Sequence, residues 1–235
     1  MTQPVDLNEY HAYIGQSSPE PVQSIAIQWM RATAMAGILG SLIILVLFPL
    51  SWGSVSILAG VIWGITIGNN QRRFWQSYFP SGDWSKWAWF TTIGVTLGSL
   101  IFIALYVLPL LLMEYEDRLP YRTFLIPYIA LLLLVGGVIF GASQWLLIRK
   151  YVRKAGWWVL AYALGCSIGG TIGSIIATSV YENLIPRNWK AGMLLGPAEG
   201  FYAFLAGTIA TSVLSLTTGL ALFWLLRQSN RHVME

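Results

Sequence analysis

Six long stretches of this 235-residue chain carry no charged side chain, and no other feature constrains its fold so tightly. They run Ala32–Phe48, Trp52–Gly68, Trp87–Met113, Phe124–Ile148, Trp157–Val180 and Gly200–Leu226. About 20 apolar residues in helical form cross a hydrocarbon core, where every backbone polar group must be paired internally. Strands of a membrane barrel would alternate in polarity over about ten residues, and these runs are continuous. The expected fold is therefore all-α: a polytopic membrane protein with six transmembrane helices. Composition agrees, since 10% of the residues are charged against about 25% in an ordinary soluble domain. The first helix has an alternative start near Ile25, because Ile25, Ala26 and Ile27 extend the run past Gln28 and Arg31.

These limits predict a polar cytoplasmic tail over 1–24, a six-helix bundle over 25–227 and a short cytoplasmic tail over 228–235. The first 24 residues hold Asp6, Glu9 and Glu20 but no Lys or Arg. A cleavable signal opens with a basic segment, so the first apolar run is expected to stay in the mature protein. Pro49, Ser51 and Gly53 read as a tight turn, and Pro80-Ser-Gly-Asp83 as a longer loop. Trp84, Trp87, Trp89, Trp157, Trp158 and Trp189 gather at segment ends, as in an interfacial aromatic belt.

Basic residues fall mainly on one side. Arg31, Arg72, Arg73, Lys86, Arg149, Lys150, Arg153, Lys154, Arg227 and Arg231 share the side of the amino terminus. The other side has Arg118, Arg122, Arg187 and Lys190, together with the acidic Glu114, Glu116, Asp117 and Glu182. The positive-inside rule then places both termini in the cytoplasm. The net charge of +4 is thereby explained by topology and not by nucleic acid.

A repeat accompanies the even helix count. Gly64, Gly141 and Gly219 each precede an arginine by eight residues, at Arg72, Arg149 and Arg227. Trp87, Gly94 and Gly98 share their spacing with Trp158, Gly165 and Gly169. The pattern predicts three helical hairpins repeated in parallel, unlike the inverted repeats of many carriers. Glycines four apart, as in Gly94/Gly98 and Gly165/Gly169, put small residues on one helix face for close backbone approach.

The stretch Gly141-Ala-Ser-Gln-Trp-Leu-Leu-Ile-Arg149, followed by Ala155-Gly-Trp-Trp158, resembles a group of uncharacterised bacterial membrane proteins frequent in cyanobacteria. Those proteins carry a similar Gln-Trp-Leu…Arg and Ala-Gly-Trp-Trp sequence between two helices. The resemblance covers roughly Gly137–Gly173 and implies a bacterial inner membrane, or a thylakoid membrane, without implying an activity. Gln144 lies about 7.5 Å deeper than Arg149 at 1.5 Å rise per residue, and its amide needs partners from a neighbouring helix. Trp145, Arg149, Lys150, Arg153 and Lys154 form the candidate interaction surface beside it.

Catalysis has little to work with. His11 and His232 lie in the tails and Cys166 is the only thiol, so no Ser–His pair, zinc site or His-ligated haem is expected within the bundle. No ionisable residue sits in the middle of a segment, which weighs against proton-coupled pumping and voltage sensing. Glu199, at the start of the sixth segment, is explained by the helix dipole. The leading expectation is a non-catalytic membrane subunit or accessory factor without cofactor, whose partners are membrane lipids and other membrane proteins. The alternative is a small-solute carrier or channel lined by Thr66, Ser99, Thr171, Ser174, Thr208, Thr211, Ser212, Ser215, Thr217 and Thr218. A carrier requires these hydroxyls to converge on a wet cavity, whereas packing requires them to bond backbone carbonyls or neighbouring helices.

Overall fold

The computed structural model describes residues 22–47, 55–78, 82–112, 118–152, 154–184 and 197–231. The first turn, the acidic loop at Glu114–Asp117, Arg153, Trp189 and both histidines lie outside these residues. Six helices account for nearly all the rest: α1 (Val22–Leu47), α2 (Val55–Tyr78), α3 (Trp87–Leu112), α4 (Arg118–Ile148), α5 (Gly156–Leu184) and α6 (Pro197–Arg231). Four of them contain spans long and apolar enough to cross a membrane: Val22–Val46, Ile126–Ile148, Gly156–Tyr181 and Gly200–Gln228. In α3 the apolar stretch described is the shorter Trp87–Ile101. Helix α2 carries the polar run Asn69-Asn-Gln-Arg-Arg73 in its second half, ahead of Phe74–Tyr78.

The helices outrun the apolar segments wherever an inward face continues beyond the apolar outward one. Helix α1 begins ten residues before Ala32 because Ile25, Ala26 and Trp29 are buried while Gln28 and Arg31 are exposed. Helix α2 continues ten residues past Gly68, burying Gln71, Phe74 and Trp75. Helix α6 extends past Leu226 to Arg231.

Each helix packs against the next in sequence, and α6 packs against α1, so the bundle is a closed ring in chain order. Glycine sets the closeness of several of these contacts. A Cβ on Gly169 would stand 2.8 Å from the Ala210 carbonyl oxygen, and one on Gly173 2.6 Å from that of Ala206. Helices α5 and α6 therefore meet backbone to backbone. The outer surface is apolar, with Met35, Val46, Leu131 and Leu220 all more than half exposed. That is the inverse of a soluble protein's surface and fits a membrane-embedded chain.

Short turns join the helices at the basic end. Ahead of α3, the Asp83 carboxylate accepts from the Ser85 backbone N–H at 3.2 Å, and the Trp87 N–H donates to the Trp84 carbonyl at 3.1 Å. Ahead of α5, the Trp158 N–H donates to the Ala155 carbonyl at 3.0 Å. Lys154 takes φ of 60° there, the left-handed conformation that lets the chain reverse immediately before the helix. The two turns touch: Tyr151 packs on Trp84 at 4.7 Å, and its hydroxyl accepts from the Asp83 N–H at 3.3 Å.

Candidate functional site

Two features occupy the interior of the ring, a polar lattice and a cavity directly above it. The lattice is centred on two fully buried amides, Gln71 of α2 and Gln144 of α4. The Gln144 Nε2 donates to Gln71 Oε1 and to Thr91 Oγ1, both at 2.9 Å. Gln71 Nε2 donates to Thr33 Oγ1 at 3.2 Å and to the Tyr162 hydroxyl at 3.1 Å. Two indoles complete the set, Trp87 donating to Gln71 Oε1 at 3.2 Å and Trp158 to Gln144 Oε1 at 3.1 Å. Gln71 thus uses both N–H donors and both acceptor directions, the full capacity of an amide.

A third indole repeats the arrangement. Trp29 of α1 donates to Thr218 Oγ1 of α6 at 3.0 Å. Each odd helix therefore presents one tryptophan to a polar residue on the even helix beside it, at Gln71, Gln144 and Thr218. Four residues after each tryptophan stands a buried hydroxyl: Thr33, Thr91 and Tyr162. The glycine contacts keep the same registers. Gly68 and Gly64 face the Cα atoms of Ala88 and Thr92, while Gly141 and Gly137 face those of Val159 and Ala163. The offsets are one and five residues from Trp87 in the first case and from Trp158 in the second. Gly64 thus corresponds to Gly137, one helical turn before the Gly141 that the arginine spacing pairs with it.

On the basic side of the lattice the interior is aromatic. Trp29, Trp75, Trp84, Trp87 and Trp158 are all 1% exposed or less. Trp75 stacks on Trp84 at 5.0 Å, and Trp29 meets Trp158 edge-on at 5.2 Å. The reading of Trp84, Trp87 and Trp158 as an interfacial belt is corrected here, because they are core residues. Trp89 and Trp157, at 71% and 51%, keep outward positions. Sequence periodicity could not separate the two groups until the inward polar partners of the indoles were known.

On the other side of the lattice lies a partly open cavity of about 350 Å³. Its floor is Ile67, Phe140 and Leu214, each four residues before a lattice member, and its walls include Gly94, Gly98 and Gly137. Among the described residues, Ser99 and Thr211 are its hydroxyl-bearing lining residues, and no charged residue lines it. The Thr211 hydroxyl is engaged with the Gly207 carbonyl at 2.8 Å. Left unfilled and sealed, a void of this size would destabilise the fold by about 8 kcal/mol at about 24 cal/mol per Å³, an upper bound for a space that is partly open.

The other expected residues are distributed around this interior. Gly94 lies against Ser143 and Phe140, Gly98 against Gly136, Gly165 against Thr217 and Leu214, and Gly169 against Ala210 and Val213. Trp145 is half-buried, with the Arg149 guanidinium 5.0 Å from its ring centre. Arg149, Lys150 and Lys154 are exposed. Lys154 Nζ donates to Gln228 Oε1 at 3.1 Å and stands 5.9 Å from the Trp224 ring, two α6 residues that the sequence did not single out. Arg153 and the side chain of Glu199 fall outside the described residues. Among the described residues, no cluster of His, Cys, Asp or Glu could hold a metal ion.

Sequence reasoning missed Gln71 altogether, along with Trp29, Thr33, Thr91 and Tyr162, and named Thr218 only as lining for the carrier alternative. The signal was present as Trp-x-x-x-Thr or Trp-x-x-x-Tyr at 29, 87 and 158. Gln71 was hidden inside a polar run that reads as the end of a span. No protein-family model, curated protein or solved structure matches the chain.

Proposed function

We propose that this chain is a non-catalytic integral membrane subunit or accessory factor that associates with other membrane proteins. In this reading it has six spans, built as three hairpins repeated in parallel, with both termini cytoplasmic. The threefold recurrence of tryptophan and acceptor, Trp29–Thr218, Trp87–Gln71 and Trp158–Gln144, supports the repeat. Its register is 73 residues from 71 to 144 and 74 from 144 to 218, one turn shorter than the glycine-to-arginine spacing gives. The resemblance around Gly141–Trp158 supports a bacterial inner or thylakoid membrane.

One observation carries the functional reading: the buried amides and most of the interior hydroxyls bond within the protein, although the buried hydroxyls of Ser41, Thr96, Thr171 and Thr208 have no partner among the described residues. Thr66, Ser212, Ser215, Thr217 and Thr218 donate to carbonyls of their own helices. The Gln71–Gln144 lattice closes the ring across its width and leaves no amide valence of Gln71 for a solute. Such a plane obstructs a polar pathway, which disfavours the carrier reading. Of the ten hydroxyls that reading requires, Ser99 and Thr211 reach the cavity.

The partner surface is the exposed basic end around Arg149, Lys150 and Lys154. Anionic lipid alone attracts each such charge by about 1 kcal/mol and is indifferent to Lys replacing Arg. A protein carboxylate held bidentately is not. The deciding experiment is purification in mild detergent of wild type, Arg149→Lys, and a variant with Arg149, Lys150, Arg153 and Lys154 changed to Gln. The expected outcome is a stoichiometric partner retained by wild type and lost from the Gln variant. Retention of that partner by the neutralised protein, with topology unchanged, refutes docking at this end. Solute uptake into vesicles containing the purified chain alone would instead establish the carrier.

A further inference from the structure

We infer that the cavity above the lattice is a binding site for one hydrocarbon tail, acyl or isoprenoid. This goes beyond the subunit reading and does not depend on it, because a tail site can exist whether or not the chain has protein partners.

Three observations converge on this ligand. The first is the wall chemistry: among the described residues, glycine, aliphatic and aromatic surface from α2 to α6, with hydroxyls only at Ser99 and Thr211. A volume of about 350 Å³ would take roughly twelve waters at about 30 Å³ each, and each water needs two to four polar partners. Two hydroxyls, one of them already bonded to Gly207, cannot supply these. Water does not fill this space well, and a polar solute would have to leave its own hydrogen bonds unmade.

The second observation is shape and size. The space is at the low end of the range of about 300–1,000 Å³ typical of small-molecule pockets, which suits a single slender chain more than a bulky ring system. The floor of Ile67, Phe140 and Leu214 is apolar and is backed by the saturated lattice. A terminal methyl group can rest there, and a headgroup cannot. The third observation is supply. The ring is clothed in exposed Met, Val and Leu side chains, so the surroundings in which it is stable are themselves hydrocarbon. The cavity is partly open, so a chain can enter while its polar end remains outside.

The wall also contains its own reporter. Cys166 lines the cavity and is the chain's only thiol, so thiol chemistry reads this space alone.

The test uses the full chain, purified in detergent and stripped of lipid. A diazirine-bearing palmitate and a diazirine-bearing isoprenol serve as separate probes, and crosslinked peptides are mapped by mass spectrometry. Crosslinks are expected within 94–99, 132–140 and 210–214, and the probe that labels more strongly identifies the tail class. Val95→Phe and Ala210→Leu, both at wall positions, should each lower that interior labelling by about tenfold, equivalent to about 1.4 kcal/mol of lost contact. Labelling of outward positions such as Leu131 and Leu220 should not change. In wild type, an apolar maleimide should modify Cys166 faster than a sulfonate-bearing one, and added palmitate or isoprenol should slow it. Crosslinks confined to outward faces overturn the proposal. So does equal modification of Cys166 by both maleimides, which would mark the space as aqueous. This wild-type measurement stands even if neither filling variant folds.

Discussion

Replacing Gln144 by Leu tests whether the polar lattice holds the ring together. The two side chains are similar in size, so the change removes hydrogen bonds and opens little space. Gln144 makes three: to Gln71, to Thr91 and from Trp158. Side-chain hydrogen bonds between membrane helices contribute about 0.6 kcal/mol on average, with a maximum near 1.7. Three average bonds therefore amount to about 2 kcal/mol. What remains behind is uneven. Gln71 Oε1 keeps the Trp87 indole, and the Thr91 hydroxyl loses only an incoming donor. The Trp158 N–H is left with no partner, and an unsatisfied buried donor costs about 1–3 kcal/mol. These two accounts of the same loss overlap, so the expected destabilisation is about 2–4 kcal/mol. Unfolding in mixed SDS–detergent micelles, followed by circular dichroism, measures it without relying on tryptophan emission. Trp158→Phe removes the orphaned donor, so the double variant should lose less than the sum of the singles by about 1 kcal/mol or more. If Gln144→Leu unfolds within about 0.5 kcal/mol of wild type, an ordinary surface-mutation effect, and the double variant is additive, the lattice is not what holds the interior together.

Three further outcomes are expected. Gly169→Ala places a methyl 2.8 Å from the Ala210 carbonyl oxygen and should lower stability by about 1–3 kcal/mol, the usual range for overpacking. Gly165→Leu should lower the melting temperature more than Leu160→Ala does, while Gly156→Ala, which meets nothing within 4 Å, should melt like wild type. Reporter fusions after Glu235 or before Met1 should score cytoplasmic and one within 114–122 external; an external carboxyl terminus means that α2 or α3 does not span. Asp83 is held below its ordinary value of 3.8 chiefly by hydrogen bonds from Ser85, then by Lys86 and Lys150. Its stabilising effect is present above that value and vanishes as pH falls through the lower folded value. The melting difference between wild type and Asp83→Asn should accordingly be constant from neutral pH down to about 3.8 and disappear below it; a difference that persists in strong acid contradicts the assignment.

How much of this was legible depends on which face of a helix one reads. Hydropathy located α3 almost to the residue, Trp87–Met113 against Trp87–Leu112, because the run is apolar on every side. It stopped α2 at Gly68, ten residues short of Tyr78, because Asn69 to Arg73 look like a span's end when averaged. Only the ring distinguishes Gln71, which turns inward to four partners, from Arg73, which turns out. The same averaging assigned Trp87 and Trp158 to the interface. Gln144 could be recognised as needing a partner, but the partner lies 73 residues away on another helix, beyond any local pattern. The repeat read from glycine and arginine spacing is offset by one helical turn from the recurrence of the tryptophan–acceptor pairs at 71, 144 and 218, because the arginine positions carry no information about which indole each even helix meets.

The bond between Trp29 and Thr218 closes the ring across 189 residues, and that separation sets a schedule for making the protein. At a synthesis rate of about 5–20 residues per second, roughly 10–40 s pass between the appearance of the indole and that of its acceptor. Throughout that interval α1 has α2 as a neighbour but nothing on the side that α6 will cover. Successive helices can pair as they are made, yet α1 remains open-sided until α6 arrives. The finished molecule is therefore recognisable by its seam, and a chain that stops short of α6 displays the same buried indole to lipid.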